Sequence, residues 1–240
     1  MLVWDILAGV APDFGAFRGI IAFAGPTAGP VHLNTALALA AIDLALDRGG
    51  GPVLLASSSA VYGGQAGPMA EGDPCQPLNP YGKAKLAMEQ AVQDRLAALG
   101  PAAPVVCVLR IGNVAGADVI LQAAARGPVT LDRFADGLGP RRSYVGPQDL
   151  AAVLTGLLAL AGAGQPLPAV VNIGSPAPVA MADLLAAAGL GWTWQAAPPA
   201  ALARMTLDTS RLAALLPDLR LSADPADLIR QARLAGWRPA

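Results

Sequence analysis

Lysine is nearly absent from this chain of 240 residues, which carries two lysines against 14 arginines. Histidine occurs once, at His32, and cysteine twice, at Cys75 and Cys107. A histidine-based zinc site or a Ser-His-Asp triad would have to be built on His32 alone, and no nucleophile motif accompanies it, so no metal site is expected. The cysteines form no Cys-x-x-Cys pair and no disulfide framework. Cys107 sits in the apolar run Val105-Val106-Cys107-Val108-Leu109 and reads as a small buried hydrophobe. Charged residues make up only 14% of the chain, the net charge is −1, and there is no long basic run. Phosphate neutralisation needs clustered Lys and Arg, so nucleic acid is not an expected partner. Long hydrophobic runs are missing too. The longest, Leu150 to Gly164, contains Thr155 and ends at Gln165-Pro166, too short for a membrane span. Asp5 interrupts the first apolar run and no basic stretch precedes it, which argues against a signal peptide and for a soluble, cytoplasmic protein.

What the chain has is apolar residues, 54% of the total, enough to bury a substantial core in one large domain or slightly more. Gly19–Gly25 reads as a short buried strand, and Leu33–Arg48 as an Ala- and Leu-rich helix with Asn34 as a cap and Gly49 as its stop. Pro52–Ala56 reads as a second strand running into Ser57-Ser58-Ser59. A helix from Tyr81 to Leu99 follows Pro77 and Pro80 and stops at Gly100-Pro101. Val105–Arg110 is a third strand, Pro147–Gly162 a helix, and Ala169–Ile173 a further strand. Strands without polar alternation, alternating with helices, predict an α/β fold whose parallel sheet is covered on both faces. Ligands of such sheets sit beyond the carboxyl ends of the strands. Gly25, Ser57-Ser58-Ser59 and Arg110-Ile111-Gly112-Asn113 fall at those ends.

Of the two lysines, Lys85 lies four residues after Tyr81 on the same predicted helix. That spacing puts both side chains on one face. An ammonium there can stabilise a phenolate and lower the tyrosine pKa toward neutrality, the arrangement an acid/base catalyst needs.

Several segments resemble, in order, the NAD-dependent epimerase/dehydratase branch of the extended short-chain dehydrogenase/reductase superfamily. They are Val53–Gly63 with its serines, Pro77–Lys85, Val108–Gly116, Arg142–Leu150, Val171–Gly174 and Asp208–Leu212. The resemblance implies a Rossmann-like doubly wound parallel sheet with a small C-terminal substrate-binding α/β region. Residues 1–112 would form the core and 113–240 mainly the substrate region, with segments around 140–175 returning to the core. It implies that Tyr81 is the acid/base, that Lys85 lowers its pKa and binds the nicotinamide ribose, and that Ser58 hydrogen-bonds the reacting oxygen. Ala24, Gly25 and Asn34 would lie against the cofactor, NAD or NADP. Ser59, Asn113 and Arg142 would face the substrate, Arg142 being suited to a diphosphate because its planar fork pairs with phosphate oxygens.

The resemblance has gaps. The family opens with a Gly-x-x-Gly-x-x-Gly turn that receives the pyrophosphate, and no such turn occurs in this sequence. Met1–Leu7 resembles the family's third strand, where an aspartate such as Asp5 contacts adenine, so the fold is expected to be N-terminally truncated. Ser58-Ser59-Ala60 stands where sugar-nucleotide 4,6-dehydratases carry Thr-Asp-Glu, which disfavours dehydration. Arg142 is followed by Ser143 in place of the usual Asp. The expectation is an NAD(P)-dependent epimerase or oxidoreductase acting on a sugar, nucleotide-sugar or similar hydroxyl or carbonyl compound. The alternative is a non-catalytic Rossmann-like binding or scaffold protein. The Ala-rich faces of Leu33–Arg48 and Leu86–Leu99 would permit close packing in a homodimer.

Overall fold

The computed structural model describes residues 4–8, 12, 15, 17–49, 51–64 and 67–239. Its chain divides into two compact units. The first comprises 1–63, 74–110 and 154–171, and the second 64–73, 111–153 and 172–240. The chain first leaves the first unit at 64, and the segments that rejoin it are 74–110 and 154–171.

In chain order, β1 (Ile20–Ala22), α1 (Leu33–Asp47) and β2 (Val53–Ser58) belong to the first unit, and β3 (Pro68–Met69) to the second. The 20-residue helix α2 (Pro80–Leu99) and β4 (Val106–Ile111) return to the first. The second unit then takes β5 (Asn113–Val114), α3 (Val119–Ala124), β6 (Val129–Arg133), β7 (Arg141–Arg142) and β8 (Tyr144–Val145). Helix α4 (Pro147–Gly162) and β9 (Val170–Ile173) each run across the division. The rest, β10 (Val179–Ala180), α5 (Met181–Ala188), β11 (Trp192–Ala196), β12 (Arg204–Leu207), α6 (Ser210–Leu215) and α7 (Pro225–Leu234), lie in the second.

The main sheet has the order β1-β2-β4-β9, and Ile20–Ala22 pairs in parallel with Val53–Leu55. Helices α1 and α2 supply the crossovers that parallel strands require. This is the α/β, Rossmann-like architecture expected from the alternation of elements. β1 forms one edge of the sheet among the described residues, and Ile21 and Phe23 are exposed there.

The buried residues of α1 follow one helical stripe: Ala38, Ala41, Ile42 and Ala45. Those of α2 follow another: Gly82, Lys85, Met88, Glu89 and Val92. The two stripes share a core with Val53, Leu55, Val106 and Val108. Each large side chain fully buried here stabilises the fold by about 1.5–3 kcal/mol. The small alanines of α1 are therefore used within the chain, where they let α1 approach α2 and the sheet. An exposed ion pair, Arg95 to Asp43 at 2.7 Å, links the two helices on their outer side.

The helix boundaries show how well local chemistry was expressed. Asn79 caps α2, its Oδ1 accepting from the Gly82 N–H at 2.7 Å, and Pro80 occupies the first turn. Asn34 does not cap α1. The cap position is His32, without a side-chain bond, and the Asn34 amide donates backwards to the Val31 and Pro26 carbonyls at 2.7 and 3.0 Å. The expected strand at Met1–Leu7 is not formed over its described part. Residues 6 and 7 lie in a turn, and exposed Asp5 accepts from the Leu7 N–H at 2.9 Å. An aspartate two residues ahead of a free N–H closes a local turn and competes with strand pairing. Residues 1–3 fall outside the described residues.

The second unit is built from short strands around a core that includes Leu121, Leu131, Tyr144, Leu184, Leu185, Leu228 and Trp237. Its sheets have the orders β10-β7-β12-β3, β11-β6 and β5-β8. No described helix is long and apolar enough to cross a membrane.

Candidate active site

Ser58, Tyr81 and Lys85 converge at the carboxyl end of β2. Ser58 is the last residue of that strand, and its Oγ accepts from the Ala60 N–H at 3.2 Å as the chain enters a turn of 3-10 helix, Ser59–Val61. This turn is pressed against the start of α2. A Cβ on Gly82 would lie 2.4 Å from the Ala60 carbonyl oxygen, so only glycine permits the approach. The residue before it, Tyr81, is thereby brought to Ser58, whose hydroxyl favours its ionised form.

One turn further along α2, Lys85 is only 4% exposed. Its Nζ donates to the Ala56 carbonyl at 2.7 Å and lies 5.9 Å from the centre of the Tyr81 ring. Burial lowers its pKa to about 8, and nearby Glu89 opposes that fall. The Tyr81 phenol moves the other way from the sequence expectation. Burial pushes it above its ordinary value, and the bond to Ser58 offsets only part of the rise. The Lys85 ammonium, 5.9 Å from the ring centre, is turned toward the Ala56 carbonyl.

Gly25 and Asn34 belong to the same place. A Cβ on Gly25, whose φ is +153°, would meet the Asn34 Oδ1 at 2.2 Å and the Lys85 Nζ at 3.6 Å. The Asn34 side chain is 1% exposed, and its Oδ1 has no hydrogen-bond partner. A buried acceptor without a donor is costly and is usually explained by a missing partner. Two anchored amide bonds hold this one in position.

Beneath these groups lies a set that the sequence alone did not mark as functional. Glu89, one turn beyond Lys85, receives Arg110 through Nε at 3.2 and 3.1 Å and through Nη2 at 2.7 Å. Ser57 Oγ donates to the other carboxylate oxygen at 2.5 Å, and Arg110 Nη1 reaches the Tyr62 hydroxyl at 2.9 Å. Burial of Arg110 favours the neutral form, but its bonds to Glu89 outweigh this and hold the guanidinium charged. The available signal was a glutamate continuing the Tyr81–Lys85 face together with an arginine inside an apolar strand.

Comparison with known proteins places the chain in a family. The profile of the NAD dependent epimerase/dehydratase family matches residues 26–174. The chain belongs to that family. A UDP-glucose 4-epimerase of Azospirillum brasilense is 42% identical over 86 residues, which is 35% of this chain but only 24% of that relative. Among solved structures, the UDP-glucose 4-epimerase of Brucella ovis in complex with NAD matches with a TM-score of 0.76 and 21% identity, covering 93% of this chain and 79% of the other. An NAD-dependent NDP-hexosamine 5,6-dehydratase, TunA, matches with a TM-score of 0.75 and 20% identity over 95% and 79%. At these identities the structural likeness establishes the fold.

The other predicted positions lie as follows. Ala24 follows β1, and Ser59 is buried in the turn after Ser58. Asn113 and Arg142 belong to the second unit, on β5 and β7. The Arg142 guanidinium donates to the carbonyls of Arg141 at 2.8 Å, Leu202 at 3.0 Å and Ala203 at 3.4 Å, with burial pulling its pKa down. Carbonyls orient a guanidinium without neutralising it. Ser143, where the family usually carries aspartate, ties strands together. Its Oγ accepts from the Leu207 N–H at 2.9 Å, and its carbonyl accepts from the Asn113 N–H at 2.9 Å. Gly146 leaves room for Gln231, which accepts from the Gln148 and Asp149 N–H groups at 3.1 Å and so caps α4.

Proposed function

We propose that the protein is an NAD(P)-dependent epimerase or oxidoreductase acting on a hydroxyl or carbonyl carbon of a sugar, with nucleotide-sugars the leading substrate class. The observation that carries this reading is the convergence of Ser58, Tyr81 and Lys85 beside the unsatisfied acceptor of Asn34. These groups fit the nicotinamide-riboside end of a dinucleotide. Lys85 uses one of its three N–H donors on Ala56 and can offer the others to ribose hydroxyls, and Asn34 Oδ1 can accept from a ligand donor. Gly25 keeps the floor free of a side chain, with Ala24 and Asp5 as further contacts. When bound, the nicotinamide supplies a hydride acceptor and donor.

The chain's own part is proton transfer and orientation. Ser58 hydrogen-bonds the reacting oxygen. Tyr81, as phenolate, takes the proton of the substrate hydroxyl and returns it from its phenol form when a carbonyl is reduced. Because burial raises its pKa in the protein by itself, Tyr81 depends on the charge of Lys85 and of bound cofactor to reach the phenolate. Ser59, Asn113 and Arg142 are the proposed substrate contacts. Ser58-Ser59-Ala60 contains no carboxylate, which favours epimerisation or oxidation over water elimination. Replacing Tyr81 by Phe should lower kcat by at least about 100-fold with folding intact; unchanged turnover would overturn the assignment.

A second reading, favoured by the burial that holds Tyr81 toward its neutral phenol, is a non-catalytic binding protein. Thermal shift separates the two. A cofactor at 100 times its Kd should stabilise by about 2.7 kcal/mol. No shift with either NAD(H) or NADP(H) supports the second reading.

A further inference from the structure

We propose that Glu89 is a positioning residue for this site, a carboxylate clamped by Arg110 and Ser57 that holds the Lys85 side chain as an ammonium one helical turn away. The inference rests on the reading of Lys85 as part of the reactive set.

Glu89, Ser57 and Arg110 are joined in the interior with almost no solvent, and Lys85 is buried one turn away: Glu89 is 2% exposed, Ser57 and Lys85 4%, and Arg110 6%. Both carboxylate oxygens are engaged, Oε1 by Ser57 and Oε2 by Arg110 Nη2, so the group cannot rotate away. A buried ion pair contributes little to stability alone, since apolar residues of similar volume usually serve as well. A third charge explains why the pair is kept. Glu89 and Lys85 are four apart on the buried stripe of α2, where side chains are neighbours. Without the carboxylate, Lys85 would lose the one charge that opposes its burial, and an ammonium, unlike a guanidinium, can give up its proton. Burial already draws Lys85 down to about 8, with Glu89 as the opposing influence.

Among the described residues, the titratable groups around this pair are Tyr81 and Glu89 on α2, Arg110 on β4, and Tyr62 and Cys75 beside Arg110. The turn at Gly25 and Asn34 and the end of β2 present only uncharged groups. Glu89 is the one anion in the set. Neutral Lys85 could not stabilise a Tyr81 phenolate, so the carboxylate acts on the reaction through the lysine.

Having only two lysines makes the test direct. Protein labelled at the lysine side chains gives only two side-chain signals, and that of buried Lys85 is the one followed. In the wild type Lys85 should titrate near 8. Glu89→Gln should lower that midpoint by about one pH unit or more, and Glu89→Met, also neutral and of similar volume, should lower it as well. Two neutral replacements of different chemistry separate the loss of the charge from the nature of the new side chain, and either variant decides if the other fails to fold. A Lys85 midpoint unmoved, or moved in the reverse direction, in a folded variant overturns the proposal. The titration requires no turnover. A shift as expected in a protein that never turns over would sink the proposed reaction and leave the role of Glu89 standing.

Discussion

Replacing Lys85 by Met should stabilise the protein at neutral pH, and the gain should vanish in alkali. In the folded chain the ammonium has a pKa of about 8; in the unfolded chain it returns to 10.5. At about 1.4 kcal/mol per pH unit, the difference is worth at most about 3.5 kcal/mol, and less after screening by solvent. The sign follows from proton uptake. Between pH 8 and 10.5 the unfolded chain binds the proton and the folded chain does not, so the wild type gains stability as pH rises through this window. The gain is complete above 10.5 and lost as pH falls through 8. Met fills the buried stem of Lys85 without a charge, and forfeits only the bond to the Ala56 carbonyl, worth about 1 kcal/mol. Urea unfolding of both proteins between pH 7 and 10.5 reads the effect. The variant should lead by about 1–2 kcal/mol at pH 7 and fall level or behind at the alkaline end. A difference that stays constant across the range would show that Lys85 titrates normally, and the account of the site would fail with it.

Two glycines give further tests of how the site is assembled. Gly82→Ala places a methyl 2.4 Å from the Ala60 carbonyl and should destabilise the fold by about 1–3 kcal/mol, seen as a lower urea midpoint. Because the strain falls between Ser58 and Tyr81, turnover should drop more than stability does, and an unchanged midpoint would refute the close approach. Gly25→Ala collides with Asn34 Oδ1 at a φ of +153° and should cost about 2 kcal/mol. Combining it with Asn34→Ala should recover part of that loss, and strictly additive effects in a double-mutant cycle would argue against the contact.

The first unit was largely legible because its elements are long and chemically punctuated. Asn79-Pro80 opens α2 and Gly100-Pro101 closes it, and apolar runs of four to six residues define β2, β4 and β9. The Tyr81–Lys85 pair was readable from helical spacing alone. The pKa of Tyr81 was not, since it depends on where the Lys85 amine points, and that is set by the Ala56 carbonyl on another element. The clamp on Glu89 was hidden for a similar reason: Ser57 and Arg110 lie 32 and 21 residues away along the chain. The second unit offered less to read. Strands of two residues such as β5, β7 and β8 carry no periodicity, and pairing partners distant in sequence define them. At Asp5 a local side-chain bond produced a turn where an apolar pattern had indicated a strand.

Three neighbouring residues at the end of β2 each serve a different partner on α2: the Ala56 carbonyl meets Lys85, the Ser57 hydroxyl meets Glu89 and the Ser58 hydroxyl meets Tyr81. Strand and helix thus behave like a key and its lock, with every tooth cut at once. An inserted or deleted residue in β2 would misalign all three contacts together, whereas the glycines at 49 and 51 just upstream can absorb a change in chain length. Variation in length among natural or engineered versions of this protein should therefore collect before Val53 and spare the six residues of the strand that begins there.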